Sequence, residues 1–151
     1  MNKIFKSAVI AIFAIILLAI PAHADKYSID RKDLPEAAQT FLSKHFGKTR
    51  VSMVKTDKHL LKKTDYDVKL VNGTKIEFNN SGDWTSVDCK TREVPSAIIP
   101  KRIQSYVKKN FPETSIVSIE KNTTNFEVEL NDGIELKFDR LGNYKSMKMD
   151  D

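Results

Sequence analysis

From Tyr66 to Leu70, apolar Tyr66, Val68 and Leu70 alternate with charged Asp67 and Lys69. A period of two marks a strand with one buried face. Ile76 and Phe78 alternate with Lys75 and Glu77 in the same way. A two-residue turn at Asn72-Gly73 would set Leu70 opposite Lys75, a buried position against a charge. A three-residue loop, Val71-Asn72-Gly73, pairs Leu70 with Thr74, Val68 with Ile76 and Tyr66 with Phe78, which keeps the apolar set on one face. The next loop, Asn80-Ser81-Gly82, sets Phe78 opposite Trp84. These positions predict a three-stranded antiparallel meander with an aromatic cluster at one end.

The same pattern returns at an offset of 60, from Asn125 to Tyr144, with Phe126, Val128, Leu130, Gly133, Leu136, Phe138, Gly142 and Tyr144 in matching places. Its predicted pairs are Leu130 with Ile134, Val128 with Leu136, Phe126 with Phe138 and Phe138 with Tyr144, all apolar. Upstream of each meander lies a helical stripe: Ala38, Phe41, Leu42 and His45 before the first, Ile103, Tyr106, Val107 and Phe111 before the second. Asp33 is placed to cap the first helix near Pro35, with Gly47 ending it; Pro112 ends the second. Val51–Thr56 and the stretch from Ile116 read as one further strand per half, and Asp57–Thr64 as a polar loop. The helices and leading strands match at an offset of 65. A loop shorter by five residues in the second copy accounts for the change, as expected of a duplication.

The expected fold class is therefore α+β: a tandem repeat of helix plus four-stranded antiparallel meander, with the helices packed on one face of the sheet. The copies span residues 34–89 and 99–149, joined by a connector over 90–98 and preceded by a loose polar lead-in over 25–33. Residues 1–24 read as a signal peptide, with basic Lys3 and Lys6, an apolar run from Ala8 to Ile20, and Ala22-His23-Ala24 as the cleavage site. Cleavage there leaves 127 of the 151 residues and lowers the formal charge from +5 to +3. The remaining charges of both signs are interspersed, which argues against nucleic acid as a partner and against stable membrane insertion.

Reactive chemistry is sparse. His23 leaves with the leader, His45 adjoins a helix stripe and His59 lies in a lysine-rich loop, so no metal-ligand spacing is present. Cys89 is the single cysteine and reads as a small apolar filler rather than a nucleophile. Asp65 with Asp67, and Glu127 with Glu129 and Glu135, could serve acid–base chemistry if desolvated, but they also fit the solvated side of a half-buried sheet. Trp84 fits core packing against Phe78 better than an exposed anchor. No phosphate loop, nucleophile–base pattern or cofactor fingerprint occurs, and no cofactor is expected.

Leu34-Pro35, Tyr66-Asp-Val-Lys-Leu70, Asn72-Gly73, Ile76-Glu-Phe78, Gly82 and Trp84, with their counterparts Ile99-Pro100, Phe126-Glu-Val-Glu-Leu130, Asp132-Gly133, Phe138-Asp139 and Gly142, resemble the PepSY-like family of beta-lactamase-inhibitor-like proteins. The resemblance covers essentially the whole chain after the leader. It implies a secreted or periplasmic protein similar in shape to beta-lactamase inhibitor protein, and it carries over no catalytic or ligand residue.

The expected function is non-enzymatic: binding a protein or peptide partner in the cell envelope, as an inhibitor of a peptidase or beta-lactamase among other options. The alternatives are a small-ligand carrier or envelope sensor domain and, behind these, a hydrolase. Helices cover one side of an antiparallel sheet, so the other side is free to meet the partner. On it we place Asp67, Lys69, Lys75, Glu77, Thr85 and Val87 in the first half, and Glu127, Glu129, Glu135, Lys137, Lys145 and Met147 in the second. Oligomeric state and the identity of the partner are left open by the sequence.

Overall fold

A computed structural model of the chain describes residues 25–57 and 65–149. The leader and most of the lysine-rich loop read over 57–64 lie outside the described residues. In chain order the elements are β1 (Lys26–Ser28), α1 (Glu36–Phe46), β2 (Val51–Asp57), β3 (Asp65–Leu70), β4 (Lys75–Phe78), β5 (Trp84–Asp88), α2 (Lys101–Asn110), β6 (Ile116–Lys121), β7 (Asn125–Leu130), β8 (Ile134–Asp139) and β9 (Tyr144–Met149). The residues read as a polar lead-in, 25–33, carry β1 and a short 3-10 turn at Arg31–Asp33.

The nine strands form a single antiparallel sheet in sequence order, each hydrogen-bonded to the next. This corrects the expected fold class. The chain is β-rich, with two short α-helices among the described residues, and is one nine-stranded sheet, not an α+β repeat of helix plus four-stranded meander. The pairing of β5 with β6 overturns that expectation: Ser86 faces Glu120, Val87 faces Ile119 and Asp88 faces Ser118, so the sheet runs unbroken across the boundary between the halves. The physical reason is edge satisfaction. Two separate units would expose two rows of unpaired N–H and C=O groups, and joining them removes both.

Within the sheet, the register is the one that the three-residue loops require. Tyr66 pairs with Phe78 and Val68 with Ile76; Phe126 pairs with Phe138 and Val128 with Leu136. Phe78 pairs with Trp84 and Phe138 with Tyr144, each beside a β-bulge. Gly82 shows why glycine is needed at the bulged turn. Its φ is +85°, and an added Cβ would stand 2.9 Å from the backbone nitrogen of Ala38, so the turn lies directly against α1.

One cross-strand row defines the core face: Val54, Val68, Ile76, Val87, Ile119, Val128 and Leu136 stand opposite one another from β2 to β8, and all are buried. Both helices lie over this face. α1 contributes Ala38, Leu42 and Phe46, and its Phe41 meets Phe78 edge-on with ring centroids 5.6 Å apart. α2 contributes Ile103 and Val107, and its Tyr106 meets Phe138 in the same way at 5.3 Å. Asp33 does not cap α1. Pro35 stands at the N-cap without a side-chain bond, while Asp33 accepts a hydrogen bond from the Lys26 ammonium at 3.3 Å.

Candidate functional site

The face away from the helices is built by the alternate residues of the same strands. Along its first row Tyr27, Lys55, Asp67, Glu77, Ser86, Glu120, Glu127, Lys137 and Ser146 stand opposite one another from β1 to β9. The second row is Met53, Lys69, Lys75, Asp88, Ser118, Glu129, Glu135 and Lys148. All eight residues singled out for partner contact, Asp67, Lys69, Lys75, Glu77, Glu127, Glu129, Glu135 and Lys137, lie in these two rows.

Four neighbouring residues need correction. Val87 is fully buried, and Met147 stands opposite Leu136 on the core face. Thr85 and Lys145 are the extra residues of the two bulges, so Ser86 and Ser146 take their places opposite Glu77 and Lys137. A bulge inserts one residue without a partner and flips every later side chain of that strand. Strict alternation counted from Trp84 and Tyr144 therefore fails by one. Alternation in β2 and β6 could have supplied Met53, Lys55, Ser118 and Glu120, which the sequence reading missed.

Carboxylates dominate the middle of this face. Asp67 faces Glu77, Glu120 faces Glu127 and Glu129 faces Glu135, three like-charge pairs directly across the ladder. Cations lie beside them as well as at the flanks: Lys69 faces Lys75 on β3 and β4, one row over from Asp67 and Glu77. Lys137 bridges Glu127 at 2.8 Å, and Lys55 bridges Asp57 at 2.8 Å and Asp25 at 3.3 Å. Among the described residues, no lysine or arginine lies within salt-bridge distance of Asp67, Glu77, Glu120 or Glu129. Partial burial, then the neighbouring Asp57, raises the Asp67 carboxyl above the usual aspartate range. Partial burial, then Asp67 and Glu120, raises Glu77 likewise. Two shallow depressions open on the same face, one of about 220 Å³ among Met53, Asp67, Lys69, Lys75 and Glu77, the other of about 260 Å³ among Glu127, Glu135, Lys137, Ser146 and Lys148.

The other reactive groups do not converge here. Cys89 is a free, buried thiol whose pKa burial pushes up. His45 sits on α1 against Phe41, its ring centroid 4.7 Å away, and burial lowers its pKa. Asp65 and Asp67 occupy the opposite side of the sheet from both. Among the described residues, no three His, Cys, Asp or Glu side chains are grouped to hold a metal ion. No helix among them is long and apolar enough to cross a membrane.

Three solved structures share this architecture. A "putative periplasmic protein of unknown function" from Bacteroides vulgatus is 39% identical, with 83% of this chain and 99% of that chain covered and a TM-score of 0.79. A "putative calcium-regulated periplasmic protein" from Bacteroides thetaiotaomicron is 39% identical over 82% of this chain and 96% of its own, with a TM-score of 0.78. A second "putative periplasmic protein" from Bacteroides vulgatus is 38% identical over 84% of this chain and 98% of its own, again with a TM-score of 0.78. The periplasmic or secreted location expected from the leader is thus the compartment in which these relatives are described. No curated protein matches the chain. Residues 64–146 match the family described as "Putative beta-lactamase-inhibitor-like, PepSY-like". That match runs from β3 to the first half of β9, including both bulged turns and most of the carboxylate rows, and it makes the chain a member of the PepSY-like family.

Proposed function

We propose that this chain is an exported, non-enzymatic binding protein that loses its leader after Ala24 and grips a basic protein or peptide segment across the open face of its sheet. The carrying observation is the row Asp67, Glu77, Glu120 and Glu127, flanked by the pair Glu129 and Glu135. Like charges directly opposite one another on a sheet are destabilising, so their clustering favours a role outside the fold. Strands stand about 4.8 Å apart. From β3 to β7 the row therefore extends over roughly 20 Å, which suits an extended cationic segment better than a single ion. One relative is described as calcium-regulated. The spread of the carboxylates over several strands argues for a chain of cations here, and binding can be tested with and without calcium. A broad, shallow surface of this kind also suits inhibition by surface occlusion, in keeping with the family's beta-lactamase-inhibitor-like description.

Affinity capture from envelope extract tests this directly. The parent chain should retain a partner reproducibly, in calcium or in chelator, and the variant Glu127→Lys, Glu129→Lys, Glu135→Lys should lose it. The same partner retained undiminished by the triple variant would refute the assignment of this face.

A further inference from the structure

β9 and β5 have the same relation to the strand before them: Phe138 pairs with Tyr144 as Phe78 does with Trp84, and Leu136 pairs with Met147 as Ile76 does with Val87. Their other sides differ. β6 closes over β5, burying Val87 completely beside Ile119 and laying the Lys121 ammonium 4.2 Å above the Trp84 ring. Among the described residues no strand pairs with the far side of β9, and its helix-side residues stay open, with Tyr144 at 41%, Met147 at 45% and Met149 at 67% exposure. The opposite edge, β1, is only three residues long, whereas β9 offers six.

We propose that β9 is a strand-acceptor edge that takes an extended acidic segment of another polypeptide, apolar and acidic residues alternating, as a tenth strand. The main-chain groups of an edge strand are unpaired and template such an addition. Apolar residues of the incoming strand would continue the core row beside Met147, as Ile119 does beside Val87. The charge that selects for acid is concentrated on the α2 side, beside the start of the strand. β9 carries Lys145 and Lys148 and no carboxylate; Glu135, 3.9 Å from Lys148, and Asp139, whose charge interacts with Lys145, offset them in part, and Asp150 and Asp151 follow in the sequence. On the helix side, the Arg102 guanidinium donates to the Asn143 side-chain oxygen at 3.0 Å, tying α2 to the turn that leads into β9. Lys101, Arg102 and Lys109 of α2, none paired with a carboxylate among the described residues, border an open cleft of about 650 Å³ beside Tyr144. The same lysines disfavour a second copy as occupant, because β9 against β9 gathers four of them in one strand pair. This edge meets the open face only at Ser146 and Lys148, the last members of its two rows, and the addition of a strand here does not depend on the assignment of that face.

The probe is a blocked seven-residue peptide of alternating glutamate and valine, titrated into the full mature chain and followed through its backbone amide resonances. Saturable shifts and slowed amide exchange are expected over residues 144–149. Replacing each glutamate of the peptide by lysine, or introducing Met147→Glu or Lys148→Glu into the protein, should weaken binding about fivefold or more. Both variants change exposed side chains, so their melting midpoints should match the parent's. No shift at millimolar peptide, shifts confined to residues outside β9, or affinity indifferent to charge would overturn the inference. So would β9 shifts that grow with protein concentration alone, since a second copy would then be the occupant.

Discussion

At Gly133 the backbone φ is +86° and no atom would meet an added Cβ, whereas at Gly82 φ is +85° and the Cβ would meet the backbone of α1. The two positions separate conformational strain from packing. Gly133→Ala should cost about 1 kcal/mol through the left-handed backbone alone, and Gly82→Ala about 2–3 kcal/mol once the helix must also move. Equal losses in chemical denaturation would contradict the close approach of that turn to α1. Glu77 gives a prediction of the opposite sign. Its folded-state pKa is raised, first by burial and then by Asp67 and Glu120, so ionisation opposes folding. The penalty is absent at low pH, grows as pH rises from the unfolded-state value through the raised folded one, and is complete above it. Glu77→Gln should therefore stabilise the protein by roughly 0.5 kcal/mol at pH 7 and leave it unchanged near pH 3. A variant less stable than the parent at pH 7 would mean that Glu77 has a structural partner, not a repelling one.

Strands β5 and β9 are the elements on which sequence and structure part. Both begin with an aromatic residue after a glycine turn, and their pairing to β4 and β8 was legible from the loops that set Phe78 opposite Trp84 and Phe138 opposite Tyr144. The bulges were not. A single extra residue, Thr85 or Lys145, has no signature in composition, and it carried Val87 and Met147 to the core face. Burial then depends on the neighbour on the other side, which lies far away in sequence. Val87→Ala should cost about 2 kcal/mol because Ile119 packs beside a full core. Met147→Ala, at an open edge, should cost under about 0.5 kcal/mol. Thermal melts of the two variants check this pair, and comparable losses would show that β9 is covered in solution.

Across the whole molecule, the helices, loops and most outward carboxylates could be read from periodicity, but the strand pairing at the seam between the halves could not. Period-two alternation says that Ser86, Val87 and Asp88 form a strand and that Ser118, Ile119 and Glu120 form another. It does not say that they pair across the 90–98 connector. That pairing makes one core out of residues from both halves, from Leu34 to Phe138, so unfolding should be a single cooperative transition. Ile119→Ala, at the seam, should shift that transition by about 3 kcal/mol without splitting it; two separately melting halves would contradict the continuous core. In the candidate site, the charged positions of β3, β4, β7 and β8 were legible, since they alternate there with the core, whereas Glu120 was missed and the residues beyond the β5 and β9 bulges were not legible. Its organisation into rows emerged only with the register of all nine strands. The proposed basic partner lies across those rows, a placement that carboxyl footprinting of the captured complex checks. Chemical labelling should be suppressed by the partner at Asp67, Glu77, Glu120, Glu127 and Glu129, and unchanged at Glu36, Glu93 and Glu113 outside the two rows. Suppression at Glu36 and Glu113 with free labelling of the sheet carboxylates would contradict it.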